Sequence, residues 1–92
     1  MIVRISSEGQ YRIPSSQLDR LNRLDNQVVE AVAKGSERRF QTAYTRMLGF
    51  VRQKGVPLEA AELVASDVVL PEPDLTLQKA KELFIGEGLI PG

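Results

Sequence analysis

The sequence predicts an α+β fold: an N-terminal β-hairpin packs on an antiparallel helical hairpin, and a short C-terminal helix with an apolar tail closes the core. Three observations support this fold. Two short β-branched segments flank a polar turn near the N-terminus, two long segments with apolar residues at helical spacing flank a single glycine, and a third helical signal follows a short apolar segment. Because 92 residues suffice for one modest core, we expect a single domain over residues 1–92.

The predicted β-hairpin consists of residues 1–5 and 10–13, joined by the polar connection 6–9. Gly9 can adopt the positive φ that such a turn needs without steric cost. Arg4 and Arg12 share one face of the hairpin and repel each other if directly opposed, so we expect a carboxylate beside them, either Glu8 or one from the C-terminal half. Period-two alternation gives the two faces: Val3, Ile5, Tyr11 and Ile13 inward, and Arg4 and Arg12 outward.

The first helix follows Pro14, which ends the second strand, and Ser16 with Asp19 three residues later resembles a capping box. Its apolar face would hold Leu18, Leu21, Val28 and Val32. Asp25 falls in the middle of that face, and burying a lone carboxylate is costly. The favoured arrangement breaks the helix at Leu24 and makes Asp25 the N-cap of a second segment, residues 26–34. The alternatives are an Asp25 at the solvent edge or paired with an arginine and, least favoured, a catalytic acid.

Gly35 and Ser36 separate the first helix from the second and predict a tight helical hairpin. Gly35 provides the left-handed residue that ends a helix. Ser36 provides the N-cap of the next helix, which runs from residue 37 to about residue 54 and ends at Gly55. Its apolar residues share one face, which we expect to form the core: Phe40, Ala43, Tyr44, Met47, Leu48, Phe50 and Val51.

The C-terminal third is predicted to alternate short elements and turns. Residues 56–63 could form a short helical turn with Pro57 at its first position, and residues 68–70 indicate a strand or an extended apolar anchor. Leu89 and Ile90 in the tail form either a clasp on the core, which we favour, or a docking motif for a partner. Thr76 caps a last helix over residues 77–84, whose inward positions are Leu77, Ala80, Leu83 and Phe84.

Charge is distributed unevenly along the chain, although the formal net charge is zero. Residues 1–55 contain ten basic and five acidic residues, for a net charge of +5, and residues 56–92 contain two and seven, for −5. The second helix has no acidic residue after Glu37. Its arginines form either an ordinary solvated face, which is slightly favoured, or a contact surface for an acidic protein or anionic lipid. The candidate partner-binding residues are Arg38, Arg39, Arg46 and Arg52.

Residue types that carry much enzymatic chemistry are missing from the sequence. Without His or Cys the chain lacks the commonest general base, the commonest transition-metal ligand and a thiol nucleophile. Gly86 and Gly88 have no following helix to receive a phosphate, and carboxylate pairs such as Glu59 with Glu62 lack the aligned oxygens of a calcium loop. We therefore predict no enzyme activity, no cofactor and no metal site. No segment approaches the roughly 20 apolar residues of a membrane span, and the N-terminus lacks the apolar stretch of a signal peptide.

Five segments, spread from one terminus to the other, resemble the PspA-associated (PspAA) family. They are MIVRI at 1–5, EGQYR at 8–12, LNRLD at 21–25, SDVVLP at 66–71 and GEGLIPG at 86–92. Members of this family are small bacterial and archaeal proteins that accompany phage-shock protein A, a coiled-coil protein of membrane stress. The resemblance implies one PspA-associated domain over residues 1–92 and offers no catalytic residues to carry over.

What the resemblance implies about function is a cytoplasmic, non-enzymatic adaptor or regulator in the envelope stress response that binds a PspA-type coiled-coil protein. Through that partner the protein would be associated with the inner face of the cell membrane. Two alternatives use the basic helix 37–54 directly, one for a membrane surface and one for nucleic acid. Nucleic acid is disfavoured because the net charge is zero. The sequence leaves a homo-oligomer open.

Overall fold

The computed structural model describes residues 1–62 and 64–84, and this part of the chain forms a mixed sheet with helices on one face. The α+β class is therefore confirmed, as are the N-terminal hairpin, the helical hairpin and the short C-terminal helix. The strands are β1 (Ile2–Ile5), β2 (Gly9–Arg12), β3 (Val56–Pro57) and β4 (Val68–Leu70). The helices are α1 (Leu18–Lys34), α2 (Glu37–Lys54) and α3 (Leu77–Leu83).

The sheet has the strand order β3-β2-β1-β4. β1 pairs antiparallel with β2, as predicted, and parallel with β4, so the chain's first strand lies inside the sheet. In the hairpin turn Gly9 has a φ of +147°, and Ser7 also has a positive φ of 72°. Arg4 lies opposite Gln10, and Arg12 lies opposite Ile2. The two arginines therefore do not oppose each other directly.

Helix α1 is continuous from Leu18 to Lys34, so the predicted break at Leu24 is wrong. Asp25 lies within the helix and is fully buried. A break would create two further helix ends with unpaired backbone groups, whereas one helix satisfies them internally. The predicted capping box is also wrong: a short 3-10 helix, Ser15–Gln17, precedes α1, and the N-cap residue Gln17 makes no side-chain capping bond. The buried residues of α1 are Leu21, Asp25, Val28, Ala31 and Val32.

The connection between α1 and α2 has the predicted chemistry. Gly35 adopts the left-handed conformation, with a φ of 67°, and its N–H donates to the carbonyls of Ala31 and Val32. The Ser36 hydroxyl accepts a bond of 3.3 Å from the backbone N–H of Arg39. The apolar face of α2 is buried as predicted, with Phe50 only half-buried at its margin. The two long helices therefore form one layer over the sheet.

After Gly55 the chain forms strand β3 where the helical turn was predicted to begin, and a single turn follows in which the Glu62 N–H donates to the Glu59 carbonyl at 2.9 Å. The backbone N–H of Leu58 donates to the Gln10 carbonyl at 2.9 Å, which continues the pairing with β2. Pro57 is tolerated there because an edge strand can leave one N–H position empty. A Cβ added at Gly55 would lie 2.5 Å from the Val51 carbonyl oxygen and 2.9 Å from the Tyr11 Cβ. The close approach of α2 to the sheet therefore requires glycine.

The C-terminal elements pack on the ends of this layer. Strand β4 is confirmed, and the Thr76 hydroxyl caps α3 by accepting from the Lys79 N–H at 3.3 Å. Ala80 and Phe84 are buried, but Leu83 is 46% exposed, so its predicted inward position is wrong. Residues four apart on a helix share a face, and Leu83 falls at the margin of the face that Ala80 and Phe84 define. The predicted clasp, Leu89 and Ile90, lies outside the described residues.

Candidate functional site

A groove runs between α1 and α2 on the surface that faces away from the sheet. One end has a volume of about 680 Å³ and the other about 440 Å³, and Gln27 and Arg46 line both ends, so the two ends adjoin. The first end is lined by Arg20, Arg23, Leu24, Gln27, Arg46, Gly49, Phe50, Gln53 and Lys54. The second is lined by Gln27, Glu30, Ala31, Lys34, Arg38, Arg39, Thr42, Ala43 and Arg46. We call this surface the basic groove.

The charge of the basic groove is almost entirely positive. Within residues 1–62 and 64–84 seven cations and one carboxylate line it. That carboxylate, Glu30, already forms an ion pair of 3.0 Å with Lys34 one helical turn away. The hydrogen bond from Lys34 lowers the pKa of Glu30, so Glu30 stays ionised and engaged near neutral pH. Most of the positive charge along the groove therefore has no carboxylate beside it.

The floor of the groove changes along its length. At the first end Leu24 and Phe50 are half-buried and pack against the core with their remaining surface in the groove. Gly49 also lines this end and leaves open space above its Cα. At the second end the floor is made of Ala31 and Ala43. Both ends thus combine apolar surface with cations, and the first end differs in carrying the larger apolar side chains, Leu24 and Phe50.

Three of the four arginines singled out from the sequence, Arg38, Arg39 and Arg46, line the basic groove. Arg52 lies elsewhere: its guanidinium forms two hydrogen bonds to the carboxylate of Glu8 in the hairpin turn, one of them Nε to Oε2 at 3.0 Å. These bonds lower the pKa of Glu8 and raise that of Arg52. In the described structure Arg52 therefore fastens the β-hairpin to α2.

Sequence reasoning from α2 alone missed four cations of the groove. Arg20, Arg23 and Lys34 come from α1, and Lys54 is the last residue of α2. A signal was present, because Arg20, Arg23 and Gln27 recur at the three- and four-residue spacing of one helical face. The predicted helix break at Leu24 concealed it. Because α1 is continuous, its polar residues line one side of the groove, and those of α2 line the other side.

The opposite face of the sheet carries Arg4 and Gln10 and lies under part of the acidic half of the chain. Residues 58–62 and 64–67 pass over it, and we call them the acidic cover. The Gln10 side-chain amide donates to the Val64 carbonyl at 2.7 Å and to the Ser66 hydroxyl at 2.8 Å. Arg4 lines a cleft there with Glu8, Glu59 and Glu62. The expected neighbourhood of carboxylates around Arg4 is therefore present.

Other chemistry is sparse in the part of the chain that the structure describes. No three carboxylates are grouped closely enough there to hold a metal ion. None of the described helices combines the length and the apolar character needed to cross a bilayer. The buried Tyr44 phenol donates to the Pro71 carbonyl at 2.6 Å, and burial, followed by the charge of Glu72, raises its pKa. Tyr44 thus connects α2 to the segment after β4.

The fold and the groove together define a small two-layer α+β domain whose helical layer presents a basic surface. The chain belongs to the PspA-associated protein family (PspAA), whose family model matches residues 1–92. The resemblance noted from the sequence is thus confirmed, and the family's name records an association with PspA. Comparison with curated proteins gave no match, and comparison with solved structures gave none either.

Proposed function

We propose that this protein is a non-enzymatic adaptor or regulator of the envelope stress response that binds a PspA-type coiled-coil, membrane-remodelling protein through the basic groove. The observation that carries this proposal is the charge of the groove. Of the described residues that line it, seven are cations and the single carboxylate is already paired within the chain. A surface of that kind favours a partner that brings its own carboxylates. The family's name, which records an association with PspA, supports a PspA-type protein as that partner.

Attachment to the membrane surface through α2 itself is the less favoured alternative. An interfacial helix inserts its apolar face into the lipid headgroup region. In α2 that face is engaged in the core, where Phe40, Met47 and Val51 are fully buried. The protein would therefore reach the inner face of the cell membrane through its partner.

Nucleic-acid binding is disfavoured by the charge of the rest of the domain. Binding to phosphates depends on many cations acting together and weakens steeply with salt. Here the net charge is zero, and three carboxylates line a cleft with Arg4 on the far face of the sheet. The positive surface is confined to the groove, which fits a local acidic contact better than a phosphate backbone.

The test is a pair of charge reversals in the basic groove, Arg39→Glu with Arg46→Glu. The partner is the PspA-type protein encoded in the same genome, and the affinity is measured by calorimetry at low and at moderate ionic strength. We expect binding to weaken at least about tenfold, because each reversal removes an attraction worth up to about 1 kcal/mol and adds a repulsion of similar size. Weaker salt dependence should accompany the loss.

The matched control is Lys79→Glu with Lys81→Glu on α3, which changes the net charge equally at exposed positions outside the groove lining. Both double variants should unfold close to the wild-type denaturant midpoint, since exposed charge changes typically alter stability by less than about 0.5 kcal/mol each. An equal loss of binding in both variants would contradict the groove as the site. Wild-type binding to anionic vesicles or duplex DNA, with none to the PspA-type protein, would favour one of the alternatives.

A further inference from the structure

The end of the basic groove that Leu24 and Phe50 line offers space for a side chain that this protein does not itself supply. Leu24 and Phe50 are the half-buried apolar residues of that end, and both pack against the core from its edge. Gly49 lies beside Phe50 on α2, and a Cβ built on it meets no atom within 4 Å. Around this apolar floor stand Arg20, Arg23 and Lys54. The result is an apolar seat with a basic rim.

Glycine at position 49 is not explained by helix formation. Gly in a helix interior is less favourable than Ala by up to about 1 kcal/mol, and Gly49 lies in the middle of an 18-residue helix with an ordinary negative φ. Nor does the protein's own packing require it, because the space above its Cα is open. What the missing side chain does provide is open space in the lining that Gly49 shares with Leu24 and Phe50.

The length and shape of the groove fit a helix. From Arg20 to Lys34 along α1 is 14 residues, or roughly 21 Å at the rise of an α-helix, which matches about four turns of an occupant. Two antiparallel helices present side-by-side ridges into which a third helix can pack at about 8–10 Å between axes. A helix with carboxylates on its flanks would meet the cations along both rims of the groove.

We propose that the Leu24–Gly49–Phe50 end of the basic groove seats one large apolar side chain of an acidic amphipathic helix lying between α1 and α2. This inference rests on the proposed function and specifies how the partner binds. The cations select a negatively charged helix and orient it along the groove. The apolar seat then fixes its position, since a single buried anchor contributes more to the binding energy than the charges at the rim.

The seat can be filled without changing any charge. Gly49→Leu places a side chain in the open space, and Gly49→Ala places only a methyl group there. Both should favour the helix. Gln78→Leu on α3 is the control, because it adds the same apolar side chain at an exposed position outside the groove lining. The probe is again the PspA-type protein of the same genome, titrated by calorimetry at two ionic strengths.

We expect Gly49→Leu to weaken binding at least tenfold with an unchanged salt dependence, Gly49→Ala to weaken it less, and Gln78→Leu to leave it unchanged. The charge reversals at Arg39 and Arg46 should differ from Gly49→Leu in one respect: they weaken binding and also reduce its salt dependence. If Gly49→Leu binds like the wild type while the reversals weaken binding, the seat is wrong and the proposed function stands. If the wild type does not bind the PspA-type protein, the proposed function fails, and the seat fails with it.

A second measurement detects occupancy directly. The chain has no cysteine, so Gly49→Cys introduces a unique thiol into the seat, and Gln78→Cys provides the same thiol outside it. Saturating amounts of the PspA-type protein should slow alkylation of the thiol at position 49 at least tenfold and leave the one at position 78 unchanged. Equal protection of both thiols, or none at position 49, overturns the seat. Protection by anionic vesicles or duplex DNA in place of the protein overturns the acidic helix as its occupant.

Discussion

The two faces of this domain treat positive charge differently. On the far face of the sheet Arg4 lies in a cleft with three carboxylates, Glu8, Glu59 and Glu62. In the basic groove seven cations face one carboxylate, within the described part of the chain, and that one is bonded to Lys34. On the first face the lining carboxylates outnumber the cation, and on the second the lining cations outnumber the carboxylate. The zero net charge of the sequence conceals this difference.

The two faces also differ in the bonds that hold their residues in place. The acidic cover is tied down by long-range polar bonds, from Gln10 to Val64 and Ser66 and from the Ile2 N–H to the Asp67 carboxylate at 2.6 Å. The basic groove carries exposed side chains such as Gln53 and Arg46 over a packed helical layer. Substitutions on the covered face should therefore alter stability, and those in the groove should alter binding.

The largest effect on stability is expected for Gln10→Ala. Gln10 is 9% exposed and donates two bonds to the acidic cover, so its loss leaves partly buried acceptors without a donor and should cost about 2–3 kcal/mol in the free energy of unfolding. Gln53→Ala, the same substitution at an exposed groove position, should change it by less than about 0.5 kcal/mol. Denaturant unfolding measures both. An equal loss in the free energy of unfolding for Gln10→Ala and Gln53→Ala would contradict the difference between the two faces.

A smaller effect is expected for Tyr44→Phe, which cuts the bond between the helical layer and the acidic half. The ring contacts survive, since Phe can still stack on Phe40 at 5.5 Å and meet Phe84 edge-on at 6.2 Å. The lost hydroxyl bond to the partly buried Pro71 carbonyl should cost about 1–2 kcal/mol. Tyr11→Phe is the control, because its hydroxyl makes one exposed contact of 3.4 Å to Glu8. Thermal or denaturant unfolding should show a clearly larger loss of stability for Tyr44→Phe than for Tyr11→Phe.

The smallest effect is expected for Glu8→Gln, which breaks the pair with Arg52. The pair is partly exposed, with 39% of the Arg52 side chain and 28% of the Glu8 side chain accessible, so its loss should cost less than about 1 kcal/mol. Arg52 lowers the pKa of Glu8 below its usual 4.5. The stabilisation is therefore fully present above about pH 4.5 and is lost as the pH falls through the lowered pKa.

Unfolding measured from neutral pH down to about pH 3 tests that sign. The difference in stability between wild type and Glu8→Gln should shrink as the solution becomes acidic. A difference that stays constant across this range would mean that the ion pair contributes nothing to it. Glu30→Gln removes the exposed pair with Lys34 within a single helix and provides the comparison for a pair that connects no separate elements.

Local signals in the sequence predicted most of the secondary structure. Gly35 with Ser36, Thr76 and the hairpin glycine each satisfy backbone groups or conformations within a few residues, so their effect is visible without knowing the fold. The failures came where a distant element intervened. Residues 56–57 join the sheet because Tyr11 and Arg12 lie beside them, and the parallel neighbour of β1 comes from residues 68–70.

The candidate site was predictable in part for the same reason. A helix without acidic residues is visible along the chain, and Arg38, Arg39 and Arg46 do line the groove. Arg52 points instead to Glu8, 44 positions earlier in the sequence, and no periodicity within α2 could reveal that partner. The opposite rim, with Arg20 and Arg23, depended on an unbroken α1.

By itself the sequence determined the α+β class, the helical hairpin, the separation of charge along the chain and the family, because these follow from local backbone preferences, periodicity and residue identity. Only the tertiary structure decided which charges meet. It buried Asp25 within a continuous helix and laid the acidic cover over Arg4, and it brought the cations of two helices together around Gly49. Electrostatic interactions depend on distance in space and on exposure to solvent, and the order of residues along the chain specifies neither.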